Sequence, residues 1–363
     1  MSTMKDQGRP ARSFIEDAEF VRKTLIVLGL GLLAFLIWKL SDVLLLAFGA
    51  VLVAILLRAA SDALVRFLWV PERWSLAVAT LLIFMVFLAI ITLFGAQVRS
   101  QFSNVVEQLP FAVDNFAKQL GLGAVSDDLS EIVNNAPAGG MAARLAGIGG
   151  AILDGLADFA LVVIAGIYIA AAPDLYREGF VKLFPIRHHP QVESSLQASG
   201  QALRLWLTSQ LIAMACVAVL SAIAFRLIGL PSAIALGLIA GLADFIPFLG
   251  PILGALPAVM IAFSMSGETA LWTVLAVIAI QQLEGNVIFP LIARRVISIP
   301  PALALFAILI GSVLFGALGL IFGFPLAVVT YVLVKKLYVR ETLGEQTDVP
   351  GEPGNDDHRE VGS

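Results

Sequence analysis

The sequence predicts an all-α, polytopic membrane protein of about eight transmembrane segments, with broken or re-entrant helices in its C-terminal half. Three observations lead there. Of 363 residues, 59% are hydrophobic and 14% are Asp, Glu, Lys or Arg, whereas ordinary globular domains carry about 25% charge. The mean hydropathy is +0.93, so the chain lacks the polar side chains that a water-soluble surface of this size needs. The apolar residues also fall in long charge-free runs, and towards the C-terminus Gly and Pro puncture those runs.

Residues 1–19 form a polar N-terminal segment, and 20–98 hold three apolar runs. Thr24–Trp38 and Val43–Leu57 have 15 residues each, short of the ~20 needed to cross the hydrocarbon. Flanking Phe20, Val21, Lys39 and Arg58 extend both, since long cations snorkel to the interface. The pair is expected to form an antiparallel hairpin. Trp74–Val98 has 25 residues without a charge, with Trp69 and Trp74 placed as interfacial anchors.

Residues 99–156 read as an external polar and amphipathic segment. Phe102, Val105, Val106, Leu109 and Val113 recur there at spacings of three and four. Asp154 and Asp158 share an i,i+4 spacing, read as a solvated helix end in preference to a paired cation site. A fourth span is expected over 157–172, followed by a polar loop over 173–204. That loop carries Arg177, Lys182, Arg187 and Arg204, with Pro173, Pro185 and Pro190 as breaks. His188 and His189 read as ordinary loop residues, with no carboxylate at ligand spacing.

Residues 205–336 form the C-terminal membrane core. Between Leu205 and Val334, 130 residues hold only Arg226, Asp244, Glu268, Glu284, Arg294 and Arg295 as charges. Leu205–Phe225 is a span of ordinary length. Leu230–Phe263, Ala270–Phe289 and Ile299–Val334 are interrupted, the last at Gly316-Ala317-Leu318-Gly319. Two re-entrant hairpins within 230–292 are an alternative to full spans there. Residues 337–363 read as a disordered acidic tail.

Lys and Arg cluster at the N-terminus, at 58–73, at 174–204 and at 335–340. The positive-inside rule then places both termini in the cytoplasm of a multi-pass inner-membrane protein, with 99–156 outside. The net charge of −4 leaves no general basic surface for nucleic acid. The single Cys216 excludes an internal disulfide and a thiolate cluster. No phosphate loop, dinucleotide fingerprint, zinc-protease motif or serine–histidine–acid set is present, so neither an enzyme nor a cofactor or metal site is expected.

Three blocks carry the candidate function. Ala243–Pro257 packs three prolines and two glycines into fifteen residues, including Pro247, Gly250 and Pro251. Each proline removes a backbone donor, and freed carbonyls at membrane depth bind ions and polar substrates. Asp244 stands at its entry, either as an intramembrane carboxylate with a function or as a helix cap at the interface. The second block is Gln281-Gln282-Leu283-Glu284-Gly285-Asn286 with Pro290, a set of amides and a carboxylate fit to line a polar path or to make a structural polar cluster. The third is Gly316-x-x-Gly319-x-x-x-Gly323-x-Pro325, which reads as close helix packing.

With these blocks in this order, the chain resembles the AI-2E transporter family, bacterial permeases that include autoinducer-2 exporters, over roughly residues 15–340. The resemblance implies a multi-span inner-membrane permease, commonly of eight spans, that tends to form homo-oligomers. Many members have a His-Pro pair after the Gln/Glu block; this chain has Ile299-Pro300-Pro301, so no role of that histidine carries over. Three functions are expected from these features. The first is export of a small polar solute such as autoinducer-2, with or without ion coupling. The second is Na+(Li+)/H+ exchange using Glu284 with Asp244, and the third is a non-transporting scaffold in the bilayer.

Overall fold

The computed structural model describes residues 11–85, 88, 155, 157–292, 299–345 and 347–352. All regular structure among them is helical. Helix α1 spans Ala11–Lys39 and α2 spans Ser41–Leu68. A third helix, α3, is described over 72–85, and α4 covers Ala157–Ala171. Then come α5 (Pro173–Val181), α6 (His189–Ile228), α7 (Ala233–Ala243) and α8 (Gly250–Met265). Helix α9 (Gly267–Leu283) continues through a π turn (Glu284–Ile288) into Phe289–Ile292. Finally α10 (Pro301–Leu333) passes into a π-helical stretch, Val334–Thr342.

Four stretches are long and apolar enough to cross a bilayer: Ser41–Leu68, Ile186–Ile228, Gly267–Leu291 and Pro301–Thr342. A fifth is the bent pair α4–α5, which turns by 89° at Pro173. Proline is tolerated at a helix start, where its missing donor would have no partner. The chain is thus a polytopic membrane protein.

Helix α6 is the central post, and its buried face recurs at Ala198, Ala202, Trp206, Gln210, Ala213 and Val217, the spacing of one helix face. Its 40 residues run about 60 Å, far more than a bilayer requires. The expected loop over 173–204 is therefore mostly helical. Pro190 does not break it, because it lies in the first turn of α6.

The basic stretches meet at one end of this post. Arg204 pairs with Asp62 at 2.7 Å, Arg58 Nε donates to Ala170 O at 2.7 Å, and Lys336 Nζ donates to Ser194 O at 3.1 Å. We call this the basic end.

Two apolar segments double back instead of crossing. Helix α6 ends at Gly229, whose φ of 88° is a left-handed cap suited to glycine. Helix α7 then returns along α6: a Cβ on Gly237 would stand 2.7 Å from Ala218 O. The chain turns through 244–249, and α8 retreats beside α7, since a Cβ on Gly254 would meet Ala240 Cα at 2.7 Å. With 11 residues, α7 is only about 16 Å long. This hairpin enters from the end opposite the basic one.

The second hairpin is α10. Gly316 has φ 60° and ψ −135°, which a side chain does not tolerate, and there the helix folds on itself. Gly311 packs on the Gly319 carbonyl, and Gly323 lies against Ala307 and Ile308. In a straight helix residues 308 and 323 would be about 22 Å apart. The arm 317–333 descends along α6, with Phe324 and Trp206 rings 5.2 Å apart. This hairpin therefore opens from the basic end, and one of the four long apolar stretches is a folded pair rather than a single crossing.

Other expectations need correction. Helices α1 and α2 join end to end: Leu40 N bonds Leu36 O and Leu44 N bonds Leu40 O, both at 2.9 Å. With no Gly or Pro at the joint, nothing stops the helix, and no antiparallel hairpin forms. The tail expected to be disordered from residue 337 begins as helix to Thr342 and then packs back onto α6 through Val349. Of the alternative of two re-entrant hairpins within 230–292, one is found, at 233–265, and a second hairpin lies at 301–333. The segment 99–156 except for 155, Arg294-Arg295, residues 353–363 and most of the second half of Trp74–Val98 lie outside the described residues.

Candidate functional site

The tip of the first hairpin brings Asp244 against α6 and α9. Asp244 caps α7, and Gln210 Nε2 donates to its backbone oxygen at 2.7 Å, with both residues buried. Phe245 packs on Trp206 with ring centroids 5.8 Å apart. Phe248, at the far side of the tip, has φ 68°, a strained left-handed value for an aromatic residue.

Glu284 arrives from α9. Pro290 cannot donate, and its ring crowds the carbonyl one turn earlier, at Asn286. The widened π turn at Glu284–Ile288 relieves that crowding, as such insertions do at many functional positions. Glu284 is turned inward and buried, while Gln282, Asn286 and Pro290 stay exposed.

The Asp244 and Glu284 carboxyl groups meet at this tip, close enough to interact directly. No N–H or O–H donor among the described residues reaches Asp244 Oδ2 or Glu284 Oε2, and both atoms are buried. Their position follows from α6: Gln210 lies about 9 Å along the axis from Arg204. The pair is thus inside the apolar zone but nearer the basic end.

The two carboxylates expected at the site do come together, and the other members distribute differently. Pro247 and Pro251 are half-buried in and after the tip. Gly250 is buried because a Cβ there would strike the Ala243 carbonyl. Gln281 is half-buried, and Asn286 Nδ2 donates to Gln282 Oε1 at 3.0 Å on the outer surface. Gly316, Gly319, Gly323 and Pro325 form the fold of the second hairpin, with Pro325 buried.

Sequence reasoning missed Gln210 and Trp206. The signal was the apolar spacing of α6, which puts Gln210 on the same stripe as Trp206 and Val217. An apolar groove of about 470 Å³ lies elsewhere, between α2 and the α10 hairpin, lined by Leu45, Phe306, Gly311, Phe315, Gly323 and Tyr331 among others.

Among the described residues no three His, Cys, Asp or Glu come together as a metal site. His188 accepts from Arg187 Nε at 2.8 Å and contacts Gln191 Oε1 at 2.9 Å, and His189 contacts Phe184 O at 2.8 Å.

Two helical hairpins, a broken helix and an intramembrane carboxyl pair are the parts of a transporter. The sequence matches the family described as AI-2E family transporter over residues 25–338. The chain belongs to the AI-2E transporter family.

Relatives carry matching names. "Putative transport protein YrrI" of Bacillus subtilis (strain 168) is 30% identical over 183 residues, 50% of this chain and 52% of that protein. "Putative transport protein YueF" of the same organism is 32% identical over 159 residues, 44% of this chain and 42% of that protein. "Putative transport protein sll0063" of Synechocystis sp. is 26% identical over 276 residues, 69% and 68% of the two chains. The chain thus spans about half the length of the two Bacillus relatives.

Proposed function

We propose that this protein is a proton-linked permease. In this reading the Asp244–Glu284 pair carries the exchangeable proton while a small polar solute, of the autoinducer-2 class, moves outward. The observation that carries the reading is the meeting of two buried carboxyl groups, Asp244 and Glu284, at the hairpin tip, with oxygens that no donor among the described residues reaches. A charge inside the hydrocarbon is costly, and a proton or cation taken up between two adjacent carboxylates lowers that cost. Taking up the second proton, or giving up the first, changes how the tip and α9 attract each other. That supplies the two states alternating access requires. The solute class comes from the family, and the proton from the site.

A second reading, Na+(Li+)/H+ exchange, is favoured by the donor-free oxygens Asp244 Oδ2 and Glu284 Oε2. Hard monovalent cations take oxygen ligands of this kind, and a cation would replace the exchangeable proton. Family membership counts against a non-transporting scaffold.

We place the basic end in the cytoplasm by the positive-inside rule, in a bacterial inner membrane. The inserted segments are then α2, α3, α4, α6, α9 and the two hairpins, with α1 continuing from α2. The C-terminal strap at the basic end is then cytoplasmic, whereas the end-to-end joint at Leu40 does not return the N-terminus to that side. The exposed apolar surface of α1 fits lipid or another copy in a homo-oligomer. Thiol labelling in a Cys216→Ser background should reach a cysteine at Ser194 from the cytoplasm and one at Ser126 from outside. The reverse pattern would overturn the orientation.

The functional test uses sealed proteoliposomes with an internal pH dye. Intact protein should couple solute or sodium movement to proton flux. Asp244→Asn and Glu284→Gln should each lower the coupled flux by at least about tenfold, the equivalent of ~1.4 kcal/mol. Proton flux driven by sodium alone selects the second reading. Full coupled flux in both variants, at equal insertion, would sink both readings.

A further inference from the structure

The described C-terminal residues 347–352 form a strap across the basic end of α6. Glu352 is held between two cations: Lys336 Nζ donates to its Oε1 and Arg340 Nη1 to its Oε2, each at 2.6 Å. Arg340 Nη2 also donates to Thr347 O at 2.6 Å and Lys335 Nζ to Asp348 O at 3.1 Å. Lys336 is 7% exposed, so it depends on Glu352 and on the Ser194 carbonyl for compensation.

The strap is also packed. Val349 belongs to one buried cluster with Ala198, Ala202 and Trp206, against which Phe245 rests. Gly351 has φ 89° and lies so close to the backbone at Ala198 and Ala202 that a Cβ would not fit. Ala202, Trp206 and Gln210 follow one another at intervals of four on α6, and Gln210 holds Asp244. The strap therefore closes the basic end of the face that leads, within about 12 Å along the axis, to the carboxyl pair.

We propose that this strap is an inhibitory latch. It keeps the route from the basic end to Asp244 and Glu284 shut, and transport requires its release. The proposal rests on the reading of that pair as the transport site. Release exchanges one discrete packing for another, as order–disorder switches do. The ion clamp fixes the strap at its outer end, and Val349 with Gly351 fills the gap beneath it.

Two measurements in the Cys216→Ser background test the latch. The first follows modification of an Ala202→Cys probe by a membrane-impermeant thiol reagent. Glu352→Ala should raise the modification rate at least about tenfold over the Glu352 parent, corresponding to ~1.4 kcal/mol. An unchanged rate overturns the latch. The second joins the strap to α6 by a disulfide between Val349→Cys and Ala202→Cys. Oxidised protein should lose coupled flux and regain it on reduction, whereas equal flux in both states overturns the latch. Because accessibility needs no transport, a rise in probe modification with no flux in Glu352→Ala or in the parent would support a mobile strap while rejecting the transport reading. A melting midpoint for each variant separates release of the strap from global unfolding.

Discussion

Replacing Gly319 with alanine sets a methyl group against the Gly311 carbonyl, with Phe315 Cβ at 2.9 Å. Neither neighbour is the free end of a flexible side chain, so the two arms of α10 must move apart. Overpacking of this kind costs about 1–3 kcal/mol. Gly285 supplies the control: it too is helical, but a Cβ there meets nothing within 4 Å. Gly285→Ala should gain part of the ~1 kcal/mol by which alanine surpasses glycine in a helix. The two variants should therefore differ by roughly 1–4 kcal/mol, with Gly319→Ala the less stable. Thermal melts in one detergent read the order directly. A straight α10 would place residues 311 and 319 about 12 Å apart along the axis, and an added methyl would then be harmless. Equal midpoints for the two variants would refute the hairpin.

Other expectations follow from the same geometry. Gln210→Leu leaves the Asp244 carbonyl buried without its donor, at a cost of about 1–3 kcal/mol; unchanged melting and flux would show that the tip is held by other contacts. Partial burial pushes the Glu352 carboxyl up, but the hydrogen bonds and charges of Lys336 and Arg340 outweigh it and hold the group below the ordinary value of 4.5. Its stabilising share is therefore present above that value and lost as pH falls through the lowered one. Glu352→Gln should flatten the acid limb of the melting profile, and an identical limb in parent and variant would contradict the clamp. Arg204→Ala breaks a pair whose members are 39% and 54% exposed. It should cost no more than about 1 kcal/mol, and a loss several times larger would mean that the pair is buried by another copy or by lipid headgroups.

Much of the membrane character was legible because it is a sum over residues. Charge-free runs mark what enters the bilayer whatever their partners do, and Gly316 was visible as a place where a helix breaks. The joint at Leu40 was not legible, since no Gly or Pro distinguishes a kink from a turn. The strap was missed for a different reason. The Gly/Pro-containing acidic stretch has the composition of a disordered tail, but Val349 fits a gap on α6 and Glu352 meets two cations on the helical stretch that follows α10.

The site divides in the same way. Asp244 and Glu284 stood out from sequence because a carboxylate in an apolar run is costly wherever it lies. That they touch each other, and that Gln282 and Asn286 face away from them, depends on the turn at 244–249 and the π turn at Glu284–Ile288. The sequence by itself determined that the chain enters a membrane and which two acids are worth testing. Only the tertiary structure decided which apolar runs double back, which polar groups share a site, and that the C-terminal strap lies across its approach. Burial in lipid is an additive property of composition, whereas contact between residues forty positions apart is a property of packing.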